Sequence, residues 1–434
     1  EFLLPAGSAI TAGGSGVVGD NSQNWLFTNQ GSIAAGSASA GSGIKLGSST
    51  LGLAQVVNSG RIVSSWNGGN GPSGVQFTNG GRVFNRSSGY IEGYDGVHTD
   101  HGSVLVENAG VIYGNSGGGT AVYSGQGATV TNLASGQILG KHYGISANGF
   151  NSNATIFNYG KISTSNRAVY LYHGVVYAVY NAPGAEISSG GSQTIRIEGS
   201  KGYLLNEGAI LAENTALSSD NTGGGNVYVN AGVIQADNGY GIQIVATDNG
   251  STIYNLATLT GSMDAVRIDG SDTRLVLGQE AYLAQLGRVV TGPGSQLNGD
   301  AVSTGLNNTV FLTESGSEDN ALLGFKSLTM SGNDWALSHD LSLTDILLVR
   351  KGRLSLTGDL DVTGPGRGVS IDAGGRLDMA GNMDILASEG GVAIGDGGIL
   401  NMDGNINISA TRGEVAVGRA GKLDLTGNMH IAAS

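Results

Sequence analysis

The 434-residue chain has no cysteine, only 5 prolines and only 13% charged residues. Without cysteine it has no disulfide staples and no thiolate metal sites. The charged share is about half that of an ordinary globular protein. No basic stripe is visible and the net charge is −13, which excludes the electrostatic footprint of a nucleic-acid binder. No apolar run approaches the roughly 20 residues of a membrane-spanning helix, so direct membrane insertion of this chain is not expected. Runs of Ala, Leu, Glu, Lys and Gln at helical spacing are missing as well.

What fills the sequence is glycine, at 77 residues, more than twice the usual share. It follows no Gly-X-Y period, which excludes collagen. An apolar fraction of 39% is too high for a disordered linker. Short runs of Val, Ile, Leu, Tyr and Thr alternate with Gly, Asn and Ser, which is strand and turn chemistry.

The runs repeat. Asn29-Gln-Gly31-Ser-Ile33 returns as Asn58-Ser-Gly60-Arg-Ile62, Asn108-Ala-Gly110-Val-Ile112, Asn158-Tyr-Gly160-Lys-Ile162, Asn206-Glu-Gly208-Ala-Ile210 and Asn230-Ala-Gly232-Val-Ile234. Looser copies start at Asn85, Asn132, Asn181 and Asn255. Nine steps separate Asn29 from Asn255, so the period is about 25 residues, a solenoid spacing. Each unit has three apolar stations: one before the Asn, one after the Gly, and a third at Val97, Val122, Ile145, Val169, Ile195, Leu217, Ile242 and Val266. Three short strands per turn predict an all-β, right-handed, three-stranded parallel β-helix. One coil cannot bury its apolar side chains or satisfy its backbone alone, so coils stack at about 4.8 Å.

Each Asn is expected at a corner, in the left-handed conformation, hydrogen-bonding the same Asn of the next coil. The structural ladder is then Asn58, Asn85, Asn108, Asn132, Asn158, Asn181, Asn206, Asn230 and Asn255. Three regions are expected. Residues 1–261 hold the ~25-residue coils. Residues 262–350 are irregular, with longer loops and an acidic solvated loop from Glu314 to Asn320. Residues 351–434 carry a stricter repeat, with Leu354, Leu377, Leu400 and Leu423 each 23 positions apart.

With its Asn-x-Gly-x-Ile ladder, Gly-rich coils, acidic pI and missing cysteine, the chain resembles the secreted passenger of a bacterial autotransporter (type V secretion). The stretch from Phe325 through Trp335 to Ser338 looks like one common in adhesin passengers of the AIDA-type and pertactin-like group. The resemblance implies export through the periplasm to the outer-membrane surface, and a C-terminal β-barrel translocator outside this chain. It implies adhesion, bacterial self-association and biofilm formation.

Gly114-Asn-Ser116-Gly-Gly-Gly119 has the look of a protease nucleophile loop but sits within one coil, with His98 and His101 only one coil away, and reads as a turn. His98-Thr-Asp100-His101 places His98 and Asp100 on one strand face, yet no second cluster completes a metal site. No metal or cofactor is expected. The outward stripe beside the third station includes His98, Tyr123, Tyr170, Arg196 and Arg267. With Asp100 and Tyr172 these are the candidate binding residues. The segment from Ala168 to Tyr180 is rich in Tyr.

The function expected is a non-enzymatic surface adhesin. Its partner is either itself on neighbouring cells, through many weak contacts along the side faces, or a host glycan or matrix protein at the Tyr-Arg stripe. A third reading, a polysaccharide-cleaving β-helix, needs paired acids. Asp100, Glu198 and Asp269 lie in scattered coils.

Overall fold

The computed structural model describes residues 1–36, 41–48, 50, 52–65, 71–149, 153–172, 176–199, 201–220 and 223–433. Among them are strands and turns and no helix. The chain divides into two compact units, Glu1–Gly223 with Gln235–Asp237, and Gly224–Ile234 with Asn238–Ser434.

In the first unit each coil gives one strand to each of three faces. Ala54–Asn58 lies on a ladder face, Arg61–Ser64 on a middle face and Val75–Phe77 on a third face. The next coil lays Gly81–Asn85, Tyr90–Gly93 and Val97–Thr99 on them, parallel and residue for residue. This is the three-stranded parallel β-helix that the repeat predicts.

The register puts like on like. On the middle face Ile62, Ile91, Ile112, Ile138, Ile162, Ile187 and Ile210 form one column. All are fully buried. Each Ile contributes roughly 1.5–3 kcal/mol by leaving water. On the ladder face the asparagines stack in a buried column. Nδ2 of Asn58 donates to Oδ1 of Asn85, Asn85 to Asn108, Asn132 to Asn158, and Asn158 to Asn181, each at 2.8 Å.

The asparagines are not left-handed. Among the described residues, the non-glycine ones with positive φ are Lys201, Asp272, Asn307, Glu314 and Ala420, none of them in the ladder. Asn58 and its equivalents close extended strands. The glycine two residues on is there for space. A Cβ on Gly60 would stand 2.0 Å from the Gly31 carbonyl oxygen of the coil beneath.

In the second unit Asn230 pairs with Asn255, and the column then turns apolar. Asn255 is followed by Leu277, Leu312, Met330, Val349, Ile371 and Ile394. Asn255 Nδ2 donates instead to Ser295 Oγ (3.0 Å), and Ser295 Oγ to Glu318 Oε1 (3.1 Å). The acidic loop expected at 314–320 is therefore a correction. Ser315–Glu318 is a strand paired with Asp334–Leu337, and Glu318 is buried.

Within 262–350 the coils continue, with an antiparallel hairpin, Glu280–Leu283 against Arg288–Thr291, inserted between two of them. Trp335 is fully buried and donates its indole N–H to the Thr313 carbonyl at 2.9 Å. The 23-residue coils hold a second polar ladder that the repeat did not reveal. The backbone N–H of Asn382 donates to Asp359, Asn405 to Asn382 and Asn428 to Asn405.

Candidate functional site

The third face of the first unit gathers the predicted stripe. His98 stands beside Tyr123, Tyr123 beside Ser146, Ser146 beside Tyr170 and Tyr170 beside Arg196, each pair on adjacent coils. Two outward rows flank it. Tyr143 stands beside Arg167, and Asn148 beside Tyr172. The rows coexist because these strands bury two successive residues. Ala121 with Val122 and Ala168 with Val169 all point inward and are fully buried.

The result is a cleft of about 380 Å3 lined by Tyr94, Asp95, His98, Thr120, Tyr123, Tyr143, Ser146, Tyr170 and Tyr172, with Gly71 and Gly118. That volume is in the range of small-molecule sites. The rings touch one another. His98 stacks on Tyr123 with centroids 4.8 Å apart. Tyr170 stacks on Tyr172 at 4.8 Å and meets Tyr143 at 5.4 Å. Asn148 donates to the Tyr172 hydroxyl at 2.9 Å.

His98 is clamped between two carboxylates. Its Nδ1 lies 2.6 Å from Asp95 Oδ2 and its Nε2 3.0 Å from Asp100 Oδ1. Asp95 also accepts the Thr120 N–H at 2.7 Å. Burial by itself would lower the His98 pKa, but the bonds and charge of Asp95, then of Asp100, hold it above the ordinary value. Tyr170 donates to Glu198 at 3.0 Å. Burial, then the Glu198 charge, pushes its hydroxyl up to about 12, so it stays a neutral donor.

The arginines beside the cleft are committed. Arg196 pairs with Glu198 at 2.7 Å and Asp220 at 3.4 Å. Arg167 donates to Gln193 at 2.9 Å and lies over the Tyr143 and Tyr170 rings. Arg267 belongs to the second unit, where it pairs with Asp269 at 2.7 Å and Asp264 at 3.7 Å.

The structure thus brings together His98, Asp100, Tyr123, Tyr170, Tyr172 and Arg196. Of the four tyrosines in 168–180 only Tyr170 and Tyr172 reach the cleft. Tyr177 is buried, and Tyr180 donates to Glu207 at 2.6 Å on the ladder face. His173 lies outside the described residues. Asp95, Tyr94, Tyr143 and Arg167 were missed by sequence reasoning. The glycine-rich loop at 114–119 is a turn, closed by Gly119 N–H to Ser116 carbonyl, and it walls the cleft. A Cβ on Gly118 would stand 2.6 Å from the Tyr94 hydroxyl.

Among the described residues no group of three or more His, Asp or Glu side chains is placed to hold a metal ion. No helix there is long and apolar enough to cross a membrane. Comparison with known protein families finds no match, and comparison with curated proteins finds none either.

Proposed function

We propose that this chain is the passenger of a bacterial surface adhesin of the autotransporter type, and that the aromatic cleft on its third face holds the ligand. One observation carries the reading. Tyr94, Tyr123, Tyr143, Tyr170 and Tyr172, from four successive coils, line one cleft beside a clamped imidazole. Tyr joins an apolar face to a polar tip and loses little entropy when a partner docks, which suits a recognition surface. The same geometry argues against acid–base cleavage of a polysaccharide. Asp95 is the one carboxylate in the described lining and is tied to His98, so no pair of acids faces a glycosidic bond there.

The test is binding by the purified chain to arrayed glycans and matrix proteins, with sedimentation run in parallel. A monomer that binds saturably, and loses binding in the Tyr123→Ala/Tyr170→Ala double variant, is the expected result. A concentration-dependent dimer whose assembly ignores that double variant would overturn the cleft and leave homophilic contact along the side faces.

A further inference from the structure

We infer that the cleft selects sugar rings without negative charge and binds most tightly those carrying a free amino group. This rests on the cleft being the ligand site, and it adds the ligand's chemical class.

Among the described residues the lining includes no lysine or arginine. Of the nearby guanidiniums Arg196 is paired with Glu198 and Asp220, while Arg167, held by Gln193 and by the Tyr143 and Tyr170 rings, keeps a charge that no described carboxylate answers. Among the described residues the charges left are Asp95, Asp100 and the imidazole between them, with Arg167 over the Tyr143 and Tyr170 rings. With His98 protonated they sum to zero, and with it neutral to one negative charge, the two carboxylates standing at the His98 end. A uronic or sialic acid at the His98 end would desolvate its carboxylate against Asp95 and Asp100 and meet no lysine or arginine in the described lining, which is costly.

The rings supply the attraction. A pyranose has an apolar C–H face and a rim of hydroxyls. Tyrosine faces suit the first. The second finds hydroxyls at Thr120, Ser146 and the lining tyrosines. An ammonium on the ring gains twice, from the tyrosine faces and from the exposed Asp100 carboxylate, whose side chain is 60% accessible.

Three oligosaccharide probes of equal length separate the possibilities: chitosan oligomers (free amine), chitin oligomers (acetylated, uncharged) and oligogalacturonate (acidic). Calorimetry on the full chain should show the amine series about tenfold tighter than the acetylated one, the effect of one added ion contact over aromatic faces. Oligogalacturonate should not bind. In Asp100→Asn the ratio of the first two should collapse toward one. Because Asp100 is exposed, that variant should fold, with a single cooperative melting transition as the check. Galacturonate binding as tightly as the amine series, or an amine preference that survives Asp100→Asn, would overturn the proposal. If no probe binds but Tyr123→Ala/Tyr170→Ala abolishes attachment of bacteria displaying the chain, the ligand class is wrong while the adhesin reading holds. Attachment indifferent to those variants removes both.

Discussion

His98 Nδ1 lies 2.6 Å from Asp95 Oδ2, with Asp100 Oδ1 3.0 Å from the other ring nitrogen. Carboxylates only accept, so the ring satisfies both contacts by carrying both protons. The sign follows. An imidazole whose folded pKa lies above its unfolded value of 6.5 adds stability that is fully present below pH 6.5 and is lost as pH rises through the raised pKa. The His98 ring C–H resonances should titrate with a midpoint above 6.5, and His98→Gln should flatten the fall in melting temperature above that pH. A midpoint at or below 6.5 would show that burial outweighs the two carboxylates.

Asn158→Ala breaks the ladder at its middle. It removes two ladder bonds of 2.8 Å, leaving the buried Asn181 side-chain oxygen without its Asn158 donor, while the buried Asn132 amide keeps only its longer bonds to the Gly136 and Lys161 carbonyls. An unpaired buried polar group costs about 1–3 kcal/mol. The variant should therefore lose at least about 1 kcal/mol of unfolding free energy in urea. Unfolding curves that superimpose on the parent would mean that backbone pairing alone sets the register.

The ladder and the isoleucine column were legible in the sequence because stacking repeats both residue type and spacing. A residue bonded to its own copy must recur at the coil period. The cleft was legible only in part. His98, Tyr123, Tyr170 and Arg196 sit one position after a third-station apolar residue, so alternation finds them. Tyr143 lies two positions before Ile145, where alternation puts it inside. The strand buries both Gly144 and Ile145 and turns Tyr143 outward. Tyr94 and Asp95 lie on a turn between strands, where no period constrains them. Glu318 was misread because its neighbours are polar. Its burial follows from pairing with Leu337, a long-range contact that composition does not carry.

Two glycines separate close approach from backbone freedom. Gly60 has an ordinary φ, yet its Cβ would stand 2.0 Å from the Gly31 oxygen. Gly184 has φ +78° and nothing within 4 Å of a Cβ. Gly184→Ala should cost about 1 kcal/mol, the strain of a left-handed alanine. Gly60→Ala must push two coils apart and should cost more, about 2–3 kcal/mol as in an overpacked core. Thermal melts of the two variants against the parent give the order directly. Equal losses would mean that the coils separate more easily than their paired backbones imply.

Glu318 ends the polar chain that runs from Asn255 through Ser295. Burial lifts its carboxyl from 4.5 to about 7, against the opposing bonds from the Leu297 N–H and the Ser295 hydroxyl. A buried acid raised in this way favours the fold when protonated. Its contribution is fully present below pH 4.5 and is lost as pH climbs through about 7. The shift amounts to roughly 3 kcal/mol at most, at about 1.4 kcal/mol per pKa unit. Glu318→Gln keeps an acceptor and cannot ionise. From pH 5 to 8 (roughly the window set by the folded and unfolded pKa values) its stability in urea should fall less than that of the parent, because only the His98 contribution is then lost. At pH 5 the two should be close, and at pH 8 the variant should be the more stable. Parallel curves over that range would place the titrating group elsewhere and leave the Asn255–Ser295–Glu318 chain with a fixed charge at its end.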